Sequence, residues 1–334
     1  LGQNSVAIGS ENTSHVADTI TIGQKNNAKT MGGISIGKNN LTDSADGNRG
    51  DVRRNHENSQ IAIGRDNTAT ELDTIAIGRE TKATGSGATV IGARAEASGN
   101  NAIAIGQSGE GSPKVIASGV NSIAIGMQSQ ATGESAIAEG PGSHAGGKYG
   151  VALGRTTKAN AEAATALGNA AEANIANGVA LGSSSVTTTD KGVVGYNPSD
   201  LHTRKYTNLQ GNVQKATTAA VSIGNGETLT RQLTGLAAGT ADTDAVNVAQ
   251  LKNVNLKYAG DSGNSDVLLK DGTLKVKGDT KLISTSADAT GITVTAKVGD
   301  NITTNTDGKA VAPTTNGIAT VSYTHLTLPT ICSV

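Results

Sequence analysis

A five-residue pattern of apolar and small positions, closed by glycine, recurs along the first 182 residues. The copy at Gln60–Gly64 reads QIAIG, and those at Thr74–Gly78 and Ala102–Gly106 read TIAIG and AIAIG. The residues one and three positions before the glycine are usually Ile, Val or Leu, and the residue between them is commonly Ala. This period of two predicts a short β-strand with one strongly apolar face and one face of small residues. Glycine suits the sharp turn that ends the strand.

The closing glycines follow one another at a spacing of 14 residues. Two steps are longer: 27 residues before Gly64, which leaves an insertion of about 13, and 20 residues before Gly126, which leaves about six around Gly109–Lys114. A register this strict predicts a repeat architecture. The glycines are Gly9, Gly23, Gly37, Gly64, Gly78, Gly92, Gly106, Gly126, Gly140, Gly154, Gly168 and Gly182.

One unit of this kind cannot bury its own apolar face, so successive units are expected to stack as a roll of two parallel sheets. We expect the Ile and Val columns to fill the inside of the roll and the Ala columns to face neighbouring subunits of an oligomer. Thr89 and Thr165 would then soften the core. Glu139 takes a position where Ile is expected, which predicts either a bulge beside Pro141 that turns the carboxylate outward or a buried ionisable group or ion site.

Composition narrows the classes of function. The 334 residues include no Trp, no Phe and five Tyr, so a wide aromatic core is excluded. The net charge of −1, without long runs of one sign, gives no reason to expect nucleic acid or an anionic membrane as a partner. Cys332 is the only cysteine. The histidines are scattered, so we predict no enzyme, no metal site and no cofactor; they are His15, His56, His144, His202 and His325.

The pattern changes after the repeats. Thr243 or Asp244 is a suitable helix N-cap, and Ala245, Val248 and Leu251 follow at a spacing of three, which predicts a short helix with one apolar edge. In 256–321, the stretches VLL, TLKVKG and GITVTAK predict short strands of a hairpin-rich domain. The last residues, 322–334, match neither part, and we expect a non-native tail.

Two stretches carry a family resemblance: the SVAIG-type repeats within 5–182 and RQLTGLAAGTADTDAVNVAQLK at 231–252. They resemble the head and neck of the YadA-like trimeric autotransporter adhesins. The resemblance implies a mainly all-β chain, a left-handed parallel β-roll in each subunit of a homotrimer, and a neck that leads to a coiled-coil stalk. It also implies that 256–321 is similar to stalk domains of the Trp-ring kind, although this segment has no Trp.

The same resemblance predicts the domain plan: a head at 1–196, a connector and neck at 197–255, a stalk β domain at 256–321 and the tail at 322–334. The chain starts inside a repeat, so we expect an internal fragment of a surface protein. Its place would be the bacterial cell surface, as an extracellular passenger that reaches the membrane only through a C-terminal anchor absent from this fragment. The implied partners are host extracellular matrix of the collagen, fibronectin or laminin class, cell-surface receptors, and other bacteria.

Candidate binding residues come from three places. In this family NSVAIG-type stretches are associated with collagen binding, and the matching residues are Asn4, Ser5, Val6, Ala7, Ile8, Gly9 and Ser10, with Asn121 and Ser122 in a second copy. The same letters also build the roll. The first insertion contains Arg49, Gly50 and Asp51, the tripeptide that integrins recognise. The neck would trimerise through Arg231, Gln232, Leu233, Asp242, Asp244, Val248 and Leu251.

A non-binding spacer of a surface fibre is the alternative function. The acyltransferase rolls with a period of six and the calcium rolls with a period of nine do not fit a period of 14. For a binding head, the breaks in the period at 42–59 and 107–114 are better places for ligand contacts than the most regular turns.

Overall fold

A computed structural model describes residues 2–43, 59–195, 211–268, 272–279 and 282–297, together with 303–304, 306–307 and 310–311. The chain divides into two compact units, Leu1–Gly235 and Leu236–Val334. The domain boundaries at 196, 255 and 321 stay predictions. The tripeptide at 49–51 and the tail at 322–334 lie outside the described residues.

The first unit is a parallel β-roll in which most turns contribute one longer and one shorter strand. Strands are numbered along the chain, so the longer strands carry odd numbers. They are β1 (Val6–Ser10), β3 (Ile20–Gln24), β5 (Ile34–Lys38), β7 (Ile61–Arg65), β9 (Ile75–Arg79), β11 (Thr89–Ala93), β13 (Ile103–Gln107), β15 (Ile123–Ile125), β17 (Ile137–Glu139), β19 (Val151–Leu153), β21 (Thr165–Leu167) and β23 (Val179–Leu181).

The shorter strands form the second sheet of the roll. They are β2 (Thr13–Ser14), β4 (Asn27–Ala28), β6 (Leu41–Thr42), β8 (Thr68–Ala69), β10 (Lys82–Ala83), β12 (Ala95–Ala97), β14 (Val115–Ala117), β16 (Gln130–Ala131), β18 (His144–Ala145), β20 (Lys158–Ala159) and β22 (Glu172–Ala173). A last strand, β24 (Val221–Ser222), pairs with β23 and extends the first sheet.

Equivalent positions of successive turns pair with each other, which confirms the repeat architecture. Ile61 pairs with Ile75 and Gly64 with Gly78. The register also continues across both insertions, because Gly37 pairs with Gly64 and Ile103 with Ile123. Neither insertion therefore shifts the register of the turn that follows.

The inside of the roll is lined by small side chains, so the predicted placement of Ile and Val inside is wrong. Where Ala stands between the two apolar positions, it is fully buried in every turn after the first, as at Ala62, Ala104 and Ala124, whereas Ala7 in the first turn is exposed. The flanking Ile, Val and Leu side chains point the other way; Ile91 is 40% exposed and Ile125 37%. Val90 and Val115 are the largest apolar side chains that are fully buried.

Glycine at the corners explains why the interior is so narrow. The backbone at Gly78 has φ +136°, and a Cβ there would lie 1.7 Å from the carbonyl oxygen of Gly92 in the next turn. Two positions further, Glu80 takes a left-handed φ of 57°. Corners this sharp bring the two sheets close together. The space between them then fits Ala, Ser, Thr and Asn rather than Ile.

A ladder of buried Asn side-chain amides forms hydrogen bonds with the backbone groups at the corners of the early turns. Asn67 Nδ2 donates to the carbonyl oxygens of Ile63 (2.9 Å) and Gly78 (2.8 Å), and its Oδ1 accepts from the backbone of Thr81 (3.0 Å). Asn26 and Asn40 make equivalent bonds. In later turns a hydroxyl replaces the amide: Ser129 and Ser143 donate to the carbonyl oxygens of Gly126 (3.0 Å) and Gly140 (2.8 Å).

A single arginine closes the far end of the roll. Arg231 donates to the hydroxyl of Ser185 (3.0 Å) and to the backbone carbonyl oxygens of Ser183 and Ile223. Its guanidinium lies over Gly182, where each earlier glycine meets the next turn. The side chain thus supplies hydrogen-bond donors at a place where no further 14-residue turn follows.

The second unit contains one short helix among its described residues, α1 (Val248–Lys252). Its N-cap is Asn247, which forms a capping box with Gln250, so the N-cap predicted at Thr243 or Asp244 is wrong. Ala245 therefore precedes the helix. Asn247 is the N-cap because Gln250, three residues later, accepts a hydrogen bond from the backbone N–H of Asn247 through its side-chain Oε1 (3.2 Å).

Three hairpins follow the helix: β25 (Asn255–Ala259) with β26 (Asn264–Leu268), β27 (Ile283–Asp288) with β28 (Gly291–Ala296), and β29 (Thr303–Thr304) with β30 (Ala310–Val311). The strand predicted for GITVTAK is β28, and VLL overlaps the end of β26. TLKVKG, at 273–278, is not a strand.

The narrow interior predicts that a larger side chain in the Ala column destabilises the roll. Ala124→Leu should lower the free energy of unfolding by about 1–3 kcal/mol, because the added methylenes have no space. Ala176→Leu, at an exposed position, is the matched control. Thermal unfolding followed by circular dichroism measures both. Equal stability of the two variants would contradict an Ala-lined interior.

The corners predict a second difference, between two glycines that both have positive φ. Gly78→Ala should destabilise the fold far more than Gly111→Ala, because a Cβ at Gly111 meets nothing within 4 Å. Left-handed backbone alone costs about 1–2 kcal/mol for alanine, and only Gly78 adds the clash. Urea unfolding of the two variants gives the comparison. A similar loss in both would show that backbone conformation, rather than close approach, fixes the glycine.

Candidate functional surfaces

The outward side of the first sheet is an apolar face, defined by the residues one and three positions before each closing glycine. All but three of these positions hold Ile, Val or Leu, and the exceptions are Thr89, Thr165 and Glu139. Twelve turns at about 4.8 Å each extend this face for roughly 55 Å. Contiguous apolar surface of this size marks an interaction site in soluble proteins.

Glu139 lies on the apolar face in regular register. It pairs with Ile125 on one side and Leu153 on the other, and it is exposed. Both hypotheses for it are corrected: no bulge turns the carboxylate outward, because the whole column points outward, and the group is not buried inside the roll. Thr89 and Thr165 share this outward column, so their hydroxyl groups do not weaken the packing of the core.

The second sheet presents a polar face. Ion pairs link adjacent turns along it, as in Lys158–Glu172 (2.7 Å), Lys114–Glu96 (3.1 Å) and, at the end of the strands, Lys29–Asp43 (3.0 Å). The hydrogen bond from Lys158 lowers the pKa of the Glu172 carboxyl below its usual value. Surface pairs of this kind contribute little stability each, but they give the roll a regular, charged outer side.

The first NSVAIG stretch lies at the start of the first sheet. Asn4 has a left-handed φ of 56° and its amide donates to Asp18 (3.2 Å). Ser5 donates to the carbonyl oxygen of Val16 (2.9 Å). Val6, Ala7, Ile8, Gly9 and Ser10 form the exposed strand β1, which pairs only with β3. The residues are accessible in this chain, and they also hold the first turn together.

The second copy splits between surface and interior. Asn121 lies at a corner with φ 57°, and its Oδ1 accepts from Asn101 (3.3 Å). Ser122 is fully buried, and its hydroxyl has no hydrogen-bond partner. An external ligand would therefore reach the side chain of Asn121 rather than that of Ser122.

One of the two breaks in the period is described. Residues 107–114 form a short surface loop in which Glu110 and Pro113 are exposed, and Ser112 donates its backbone N–H to Gly109 (3.2 Å). Lys114 ends the loop and pairs with Glu96. The other break contains Arg49, Gly50 and Asp51, which lie outside the described part of the chain.

The predicted neck residues divide between the two units. Arg231, Gln232 and Leu233 belong to the first, where Arg231 closes the roll. Asp242, Asp244, Val248 and Leu251 belong to the second, and all four are exposed.

A small hydrogen-bond network orders the segment before helix α1. Asp244 accepts from the backbone N–H groups of Thr240 (2.9 Å) and Ala241 (3.0 Å). These bonds, that of Ala241 first, lower the pKa of the Asp244 carboxyl. Gln250 joins the two sides of Gly239, accepting from its N–H and donating to its carbonyl oxygen (both 3.1 Å). The exposed Val248 and Leu251 are thereby held on a defined turn of helix.

Among the described residues, no three His, Cys, Asp or Glu side chains come together as a metal site. A shallow, open groove of about 630 Å³ runs along the hairpin β25–β26, lined by residues such as Lys257, Tyr258 and Asp266. Nothing in it resembles a nucleophile with its base. No helix among the residues that the structure describes has both the length and the apolar character needed to cross a membrane.

The asparagine ladder and the role of Arg231 were missed at the sequence level. The ladder had a signal, since Asn12, Asn26, Asn40 and Asn67 all stand three residues after a closing glycine. Arg231 had none, because its contacts join residues 46 and 48 positions apart.

Comparisons with known proteins bear on these surfaces. The YadA head domain repeat matches residues 61–81, 83–108, 117–143, 145–171 and 159–185, and the coiled stalk of trimeric autotransporter adhesin matches 232–273. The crystal structure of the collagen-binding domain of the Yersinia adhesin YadA is 28% identical; the match covers 58% of this chain and 80% of that one, with a TM-score of 0.32. A TM-score this low supports no conclusion.

A curated relative is the autotransporter adhesin BadA of Bartonella henselae, 37% identical over 128 residues. The match covers 36% of this chain and 4% of the relative, so the chain spans a small part of that protein. The matches to the head repeat thus lie on the roll, and the match to the stalk lies on the segment that contains helix α1. The chain belongs to the YadA-like trimeric autotransporter adhesins, which are displayed on the bacterial cell surface.

Proposed function

We propose that this chain is the adhesive head of a surface fibre, that it assembles as a homotrimer through the apolar face, and that it binds host surfaces through its remaining sides. The adhesin role follows from the family. The observation that carries the rest is the position of the Ile, Val and Leu columns. They cover the outside of the first sheet rather than the inside of the roll.

The apolar face supports assembly because it is too regular and too long for a solvated surface. Its members pair Ile on Ile through β3, β5, β7 and β9, and exposed Leu167 and Leu181 continue the face in the later turns. Each such side chain removed from water contributes up to about 1.5–3 kcal/mol. Three copies around one axis would cover all three faces at once and leave the polar faces outward.

The ligand surface would then consist of the polar face, the corners and the loops. Matrix proteins of the collagen, fibronectin or laminin class, cell-surface receptors or other bacteria would be bound over shallow surfaces. Asn4 and Asn121 are the side chains of the NSVAIG stretches that such a ligand could contact. Arg49–Asp51 would offer a site to integrins.

A non-binding spacer remains the second candidate, and the polar face favours it. Lys158–Glu172, Lys114–Glu96 and Lys148–Glu134 pair charge with charge along the roll and leave few free groups for a ligand. In that case the head would only add reach to the fibre.

Assembly predicts that a charge on the apolar face disrupts the oligomer. The unchanged chain should sediment as three copies, and Ile77→Glu should shift it towards monomer, because an ionised carboxylate would be buried without a partner. Thr68→Glu introduces the same charge on the polar face and should leave the trimer intact. Analytical ultracentrifugation measures all three. A monomeric unchanged chain, or an Ile77→Glu variant that stays trimeric, contradicts the proposed interface.

Binding predicts a role for Asn121. The trimer should bind immobilised collagen, fibronectin or laminin, and Asn121→Gly should weaken that binding several-fold, because glycine keeps the left-handed backbone and removes the amide. Asn177→Gly is the matched control, since Asn177 has φ 61° at an equivalent corner. Binding to all three proteins and to epithelial cells is measured in parallel. A folded trimer that binds none of them would favour the spacer.

A further inference from the structure

One unpaired acid lies on the apolar face, and one unpaired base lies beside it. In the turns closed by Gly126, Gly140, Gly154 and Gly168, the apolar face and the position directly after each closing glycine hold aliphatic, Thr, Pro, Met or Asn residues except for Glu139 and Arg155. Arg155 directly follows Gly154 and is exposed, as Glu139 is. The two therefore form a single charged patch in an otherwise uncharged part of the first sheet.

Neither side chain has an ion-pair partner within 4.0 Å in the described part of the chain. Of the charged groups nearest in sequence, Lys148 pairs with Glu134 (2.8 Å) at a corner and Lys158 pairs with Glu172 on the polar face, while Glu162 is exposed and makes no ion pair with any described residue. Glu139 and Arg155 thus differ from most charged residues of these turns, which pair within their own chain.

The backbone places the two residues in adjacent turns. The N–H of Gly154 donates to the carbonyl oxygen of Glu139 (2.8 Å), and the N–H of Thr156 donates to that of Pro141 (2.8 Å). Arg155 consequently lies one turn above Glu139 and about two residues further along, a separation of roughly 8 Å between backbones. Glu and Arg side chains are long enough to span such an offset, yet these two do not pair within the described chain, which leaves both available to a neighbouring subunit.

We infer that Glu139 of each subunit forms an ion pair with Arg155 of the neighbouring subunit, so that three such pairs make one charged layer in the trimer. This inference rests on the proposed function, since it needs the apolar face to be the interface. A carboxylate buried among Ile125, Leu153 and their symmetry mates would be costly without a cation. The guanidinium of Arg155 can supply this cation and can donate two hydrogen bonds to one carboxylate.

The charged layer would fix the axial register of the three chains. The apolar layers repeat every 14 residues with nearly the same side chains, so a chain displaced by one turn would still pack Ile or Leu against Ile or Leu. Such a displacement would separate Glu139 from Arg155 and bury each without a partner. A single polar layer specifies register in this way in other helical and repetitive assemblies.

Charge reversal in two separate chains tests the pairing between subunits. E139R and R155E each place like charges at every junction of a homotrimer, so each alone should show a lower midpoint of thermal dissociation. When the two variants are co-expressed with different tags, two of three junctions in a mixed trimer hold opposite charges. Homotrimers of either variant should be depleted several-fold below the proportion found for two tagged copies of the unchanged chain, and mixed trimers should make up nearly all of the rest.

A second comparison keeps the test informative if the reversed variants fold poorly. Glu139→Ile extends the apolar column and should still assemble as a trimer, although Arg155 then lacks its carboxylate. In that background R155E should lose most of its effect on the dissociation midpoint, because its repulsive partner is gone. Native mass spectrometry counts the mixed trimers, and differential scanning calorimetry gives the midpoints.

The outcomes separate the inference from the function on which it rests. If the unchanged chain is monomeric, the proposed assembly itself fails. If it is trimeric and mixed trimers form only in the control proportion, then Glu139 and Arg155 do not pair between subunits. Control proportions of mixed trimers are also expected if Glu139 and Arg155 pair within one chain. Each chain of either variant then carries two like charges of its own, so mixing the variants relieves no repulsion.

Discussion

Close approach of backbone to backbone at the glycine corners is the constraint on which this structure depends. Each closing glycine before Gly182 meets the carbonyl group of the glycine one turn on, with no space for a Cβ between them. That contact brings the two sheets of the roll so near that Ala, Ser, Thr and Asn suffice to fill it. Ile does not fit there and Val does so only at Val90 and Val115, so the Ile, Val and Leu columns lie on the outer side of the first sheet. The surface that calls for partner subunits is a consequence of the corner.

Much of the fold could be predicted from the sequence. The period of 14 located every turn of the head, and the alternation before each glycine located the longer strands. The assignment of faces could not be predicted by the same means, because a period of two defines two sides without saying which is inside. The width of the roll decides that, and it depends on how tightly the corners close. Neither hydrophobicity nor spacing reports this distance.

The remaining errors have local causes. Asp244 has good N-cap chemistry, but Asn247 has a Gln three residues later and obtains a reciprocal pair of hydrogen bonds. TLKVKG alternates as a strand does and yet has no strand partner among the described residues. The unusual residue of the head, Glu139, was recognised from the sequence, but its meaning changed when its column turned outward. A bulge or an internal ion site is not needed to explain a carboxylate that lies on the outer side of the sheet.

The unbroken register across both insertions has a consequence for how such a protein can change. Because Gly37 pairs with Gly64 and Ile103 with Ile123, insertions of two different lengths leave the register of the scaffold unchanged. The sequence between the turns can then vary at such points with little thermodynamic cost to the roll. Whole turns can likewise be gained or lost by recombination, each altering the length by about 4.8 Å. The sequence of the insertions and the length of the roll are thereby independent features of one modular chain.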